Sequence, residues 1–131
     1  MITRREIVSG VLGMAAVANI GEAQGNHATT IHRQALPAPF EGWEAEFVSV
    51  TMEPGPGYAP HRHPGFVLGY VVDGQFRFGI EGEPERVIKA GDAFYEPPGA
   101  HHIKSSSASL TRSATILAII VSEKAKGGYA K

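Results

Sequence analysis

The sequence predicts an all-β domain, folded as an antiparallel sandwich or barrel. Three observations carry this. Beyond the first two dozen residues, short apolar runs alternate at period two. Glycine- and proline-rich breaks follow one another closely, as expected of many short strands. No helical period of ten residues or more is present in that part of the chain.

Taken in order, the first segment stands apart. "MITRREIVSGVLGMAAVANIGEAQG" has a charged head at Arg4 and Arg5, then an apolar run from Ile7 to Ala18. The run is short for a membrane span, which needs about 20 residues. Ala16-Val17-Ala18 and Gly21-Glu22-Ala23 fit small-x-small cleavage sites. "TRREIV" resembles a twin-arginine export signal, without the usual Phe-Leu after it. Residues 1–23 are therefore expected to be an export signal, with mature chain starting near Asn19 to Gln24. The expected location is periplasmic or secreted, with no membrane-spanning segment after removal of the signal. Residues 24–131 form one domain.

"NHATTIHRQALPAPFEGW" lacks a regular pattern and is read as a loose lead-in, with His27 and His32 solvated. In "EFVSVTME", Glu46, Val48, Val50 and Met52 share one face, and Phe47, Ser49 and Thr51 the other. "FVLGYVV" is followed by Asp73-Gly74, a type I′ hairpin signal. "QFRFGIE" puts Phe76, Phe78 and Ile80 on one face, and Glu81-Gly82 makes the next turn. "ERVIK" and "DAFYE" are short strands separated by Ala90-Gly91. Pro97-Pro98-Gly99 fixes where the next side chains point. Ser113 to Ser122 is a long β-branched run and a candidate central strand, with Ala114 to Val121 alternatively an apolar edge at an interface.

Composition bounds the function. The 131 residues carry a net charge of −1, 43% hydrophobic and 19% charged residues, and no cysteine. This excludes disulfides, a thiolate zinc site and a cysteine nucleophile. Nothing in the charge pattern points to nucleic acid. The chemistry gathers at histidines. His61 and His63 are two apart, so on a strand they face the same way. Two converging imidazoles suit a divalent metal. His101 and His102 follow the Pro-Pro-Gly turn, and adjacent strand residues face oppositely, so one of them enters a shared pocket.

These residues resemble the cupin superfamily, in its small single-domain, conserved-barrel form. Gly55, His61, His63, Val67 and Gly74 fall at the spacing of the first cupin motif. Gly91, Pro97, Gly99 and His102 fall at that of the second. The resemblance covers about residues 52–107. It implies a jelly-roll-like antiparallel β-barrel, or double-stranded β-helix. It also implies a divalent transition metal, Fe, Mn, Zn, Cu or Ni, held by His61, His63 and His102. His101 is then a mouth or surface residue.

Two positions depart from the pattern. The family's glutamate ligand falls on Val67, and its asparagine near Ser106 or Ser107. Three readings stay open: a three-histidine site, a site in which Glu96 supplies the carboxylate from the neighbouring strand, and a degenerate site without metal. Tyr70, if it faces inward, is a candidate to orient substrate or donate a proton. Tyr58, Tyr95, Phe66, Phe76, Phe78 and Trp43 are read as core aromatics, and Arg62 as facing away from the metal.

The resemblance implies a metalloenzyme for a small molecule, of dioxygenase, isomerase or lyase type. The alternative is a non-catalytic module that holds a metal or ligand. Many cupins pair through their sheets, which implies a homodimer.

Overall fold

A computed structural model describes residues 25–124. The expected export segment and the last seven residues of the polar tail lie outside the described residues. Nine strands are present, and no α-helix, among the described residues: β1 (His27–Ala35), β2 (Trp43–Met52), β3 (His61–Arg62), β4 (Phe66–Asp73), β5 (Gln75–Ile80), β6 (Arg86–Lys89), β7 (Ala93–Glu96), β8 (His101–Ser107) and β9 (Ala114–Glu123).

They form two antiparallel sheets, a five-stranded one in the order β1-β2-β9-β4-β7 and a four-stranded one in the order β3-β8-β5-β6. This is the jelly-roll arrangement of the expected all-β fold. Among the described residues no strand ladder runs from one sheet into the other, so the barrel is a flattened two-sheet shell.

The period-two pattern decides which side chains fill that shell. Glu46, Val48, Val50 and Met52 of β2 are buried, as are Ala114, Ile116, Ala118 and Ile120 of β9 and Val67 and Val71 of β4. From the other sheet come Phe76, Phe78, Ile80 and Ile88. Phe94 of β7 lies directly over Gly69, where a Cβ would sit 2.0 Å from the ring. Gly69 is thus the space into which the ring fits. Phe94 meets Phe76 and Phe78 with ring centroids 5.1 and 5.0 Å apart, a distance favourable for tilted aromatic pairs. Phe78 in turn lies 5.1 Å from the His102 ring. The aromatic cluster forms the floor under the histidines.

Several expectations change. Tyr95, read as a core aromatic, is 49% exposed. The loose lead-in is the edge strand β1, paired with β2 from His27 to Ala35 with a bulge between Thr30 and His32. Its residues are mostly exposed, so no apolar alternation marks it; the backbone ladder to β2 holds it in place. His27 and His32 are exposed, as expected.

Asp73-Gly74 is not a hairpin turn. β4 is paired on both sides by β7 and β9, and the turn carries the chain across to the opposite sheet. Gly74 has φ 81°, and an added Cβ would meet Ser113 O at 2.5 Å.

The apolar strand Ala114 to Val121 is no edge: β9 is the centre of the five-stranded sheet, between β2 and β4. Finally, Tyr70 is 47% exposed. Val67, Gly69 and Val71 take the inward positions of β4, which turns Tyr70 outward.

Candidate functional site

The site begins with register. His61 of β3 is paired directly with His102 of β8, so both side chains stand on the same face. Their ring centroids are 4.9 Å apart. β3 ends at Arg62, yet His63, just beyond it, still turns its ring to within 5.0 Å of His61. Arg62 points the other way and donates to Gly99 O at 2.7 Å, tying β3 to the Pro-Pro-Gly turn that precedes β8. His101 also faces outward, with Nδ1 2.9 Å from Glu81 Oε1. The spacing argument for His102 over His101 is thus matched by their positions.

The loop before β3 is fixed by close approach. Gly57, at φ 80°, passes so near β8 that a Cβ would lie 2.1 Å from Ser105 O. Tyr58 N then donates to Ser105 O at 2.9 Å, and Ala59 O accepts from His61 Nδ1 at 2.7 Å. A carbonyl only accepts, so Nδ1 carries the proton and Nε2 keeps its lone pair for another partner.

The decisive residue is Glu96. It is 4% exposed, and it pairs in register with Val67 across β4 and β7. Paired residues share a face, so the carboxylate stands one strand away from where Val67 lacks it. Glu96 Oε1 is 3.9 Å from His63 Nε2, and Oε2 is 3.3 Å from His102 Nδ1. The latter contact lacks the alignment of a hydrogen bond, and Glu96 Oε1 and both ring nitrogens of the buried His102 have no hydrogen-bond partner among the described residues. Buried polar atoms without partners are costly, and a shared cation satisfies such a group.

In the side-chain conformations of the structure, no three His, Cys, Asp or Glu among the described residues close up into an ion's ligand shell. The donor set nevertheless fits one: three imidazoles and a carboxylate around one space suit a divalent transition metal.

Charge and burial act together here. Burial holds His61 below the ordinary imidazole range; the Ala59 carbonyl opposes this, and the neighbouring His102 and His63 add to it. Burial pushes Glu96 up, but His102 against it, and the charge that His102, His63 and His61 carry when protonated, outweigh burial and hold its carboxyl below the usual range. In both cases the unfolded chain binds more protons than the folded one, so stability rises with pH across each window. Chelator-treated protein is expected to lose melting temperature as pH falls below 6.5, where unfolded His61 takes a proton, and again below 4.5, where unfolded Glu96 takes one. A thermal melt series checks this, with His61→Gln expected to remove the upper step.

The four side chains line one pocket of ≈ 220 Å³. Its far wall is the inner face of β2 and β9: Val48, Val50, Ile116, Ala118 and Ile120. Tyr58 and Ser105 add polar groups. Tyr58, expected in the core, is buried but borders the pocket; Ser105 was not singled out by spacing, although it neighbours the serines that replace the family's asparagine. Tyr70 is outside the pocket, on the opposite side of its sheet.

Residues 48–109 match the family described as Cupin domain. The chain carries a cupin domain. Solved structures agree on the fold. A cupin-like protein from Thermotoga maritima superposes with a TM-score of 0.60 at 21% identity, covering 81% of this chain and 74% of that one. KdgF from Halomonas sp. gives a TM-score of 0.57 at 26% identity, covering 73% and 80%. Oxalate oxidase in complex with glycolate gives 0.59 at 24% identity; this cupin covers 55% of that longer chain, with 82% of its own length matched. Among curated proteins none matches the sequence.

Proposed function

We propose that this cupin binds a divalent transition metal through His61, His63, His102 and Glu96 and acts on a small molecule in the adjoining pocket. The observation that carries the reading is the register of Glu96 with Val67, which brings a buried carboxylate to the three histidines. When bound, such an ion acts as a Lewis acid, activates dioxygen if it is iron, or lowers the pKa of a bound water. The chain's own part is to hold three neutral imidazoles and one carboxylate, to exclude bulk water with the β2 and β9 wall, and to limit the occupant by volume. Oxygenase, isomerase and lyase chemistry all fit this frame. Enzymes of different kinds, among them oxalate oxidase and a protein described with the DMSP lyases, share the fold.

The metal's preferred coordination separates catalysis from mere holding. Four protein ligands close a tetrahedral zinc site. Around an ion that takes six, they leave room for substrate. Elemental analysis of untagged protein, with Glu96→Gln beside it, tests the site. About one metal per chain in the parent and a strong loss in Glu96→Gln is the expected result. Full retention in Glu96→Gln reduces the site to three histidines. No uptake by the parent, even after reconstitution with iron, manganese, zinc and copper, overturns the metal reading.

A homodimer belongs to the same proposal. The outer face of the five-stranded sheet exposes Leu68, Tyr70, Val72 and Tyr95, with Ile119 beside Leu68 in register. Such a face suits a second sheet better than water. Light scattering is expected to give twice the chain mass, and Leu68→Lys to shift it to the monomer.

A further inference from the structure

The pocket has two unlike sets of lining residues. One is His61, His63, His102 and Glu96. The other is Val48, Val50, Ile116, Ala118 and Ile120, whose side chains offer no hydrogen-bonding group. No lysine or arginine is among the lining residues. The nearest candidate in sequence, Arg62, gives its guanidinium to Gly99 O. Tyr58 and Ser105 also line the pocket; Ser105 turns its hydroxyl to the Met52 sulfur at 3.7 Å.

A ligand anchored at the histidines therefore lays the rest of itself against hydrocarbon. A second carboxylate placed there loses its water and meets no counter-charge, which is costly. Each methyl placed there gains about fourfold in affinity.

We propose that the pocket selects a small monoanion with a short, branched aliphatic body, its single carboxylate or enolate oxygen directed to the histidines. Dianionic acids of the same size are rejected by the wall. The anchoring of the charged end rests on the metal reading above; the choice of body rests on the wall alone.

The probes are 4-methylpentanoate and succinate. They have nearly the same shape, and differ in that two methyl groups replace two carboxylate oxygens. Calorimetry is run with both on metal-loaded and on chelator-treated protein, with metal content measured on the same samples. The expected result is that 4-methylpentanoate binds at least about tenfold more tightly than succinate in whichever form binds. Val48→Thr keeps the shape of the wall and adds a hydroxyl; it is expected to narrow the ratio by weakening 4-methylpentanoate.

Succinate binding equally or better, or neither probe binding either form, overturns the proposal. A protein that takes up no metal on loading yet prefers 4-methylpentanoate removes the metal reading and leaves this one. A metal-loaded protein that prefers succinate does the reverse.

Discussion

His102→Ala is expected to leave the protein without metal. His102 is 3% exposed, is in register with His61, and touches Glu96. It is the most buried of the three histidines, and both its nitrogens lack a protein hydrogen bond among the described residues. Removing it takes away one proposed ligand and also the neighbour that does most to hold down the Glu96 carboxyl, which then moves up under burial. Changes to the surroundings of a metal typically cost 10- to 100-fold in affinity, and loss of a ligand is expected to cost more than about 100-fold. Metal content after dialysis should fall from about one per chain to below about one-tenth. His101→Ala is the matched control. Its side chain turns to Glu81 at the surface, so metal content should stay at the parent level. Stoichiometric metal in His102→Ala would remove this residue from the site.

Phe76→Ala is expected to produce the largest loss of stability. Phe76 is fully buried. Its ring centroid lies 5.7 Å from that of Phe78, 5.1 Å from that of Phe94 and 6.2 Å from that of His102, the last pair T-shaped. Truncation removes the centre of this floor and leaves a cavity that the two sheets, held by their own ladders, close only in part. Such Phe-to-Ala changes cost about 3–5 kcal/mol. A domain of this kind has a total of about 5–15 kcal/mol, so the variant keeps at best a fraction of its stability. Urea unfolding followed by Trp43 fluorescence should show the midpoint falling sharply. Phe76→Leu refills most of the volume and should cost about 1.5 kcal/mol or less. A cost below about 1 kcal/mol for Phe76→Ala would mean that the floor relaxes freely.

The parts of the molecule that were legible in sequence are those governed by local periodicity. Val48, Val50 and Met52, or Phe76, Phe78 and Ile80, alternate because one face of each strand must leave water. β9 declared itself central by a long apolar run rich in β-branched residues. His61, His63 and His102 were found by spacing, since the turn glycines and prolines between them set where each side chain points.

What was hidden depends on pairing between distant strands. β1 carries no apolar stripe, so only its ladder with β2 defines it. Asp73-Gly74 has the chemistry of a hairpin turn, but β4 had better partners elsewhere. The exposure of Tyr70 follows from the inward place of Gly69, a residue with no hydrophobic signal at all. Glu96 lay between these cases. Its place beside the Pro-Pro-Gly turn was visible, but its register with Val67 was not, because nothing within either strand states which residue faces which.

The central pairing of β2 with β9 makes the pocket depend on closing a long loop. Met52 meets Ala114 and Trp43 meets Glu123, so this ladder closes a loop that contains all three histidines and Glu96. Closing so long a loop costs entropy before it returns any contact, and topologies of this kind fold slowly. Ile116, Ala118 and Ile120 belong to β9, so most of the aliphatic wall reaches the histidines only when this loop closes. The proposed preference for an aliphatic body therefore depends on a long-range pairing, and not on the strands that carry the histidines.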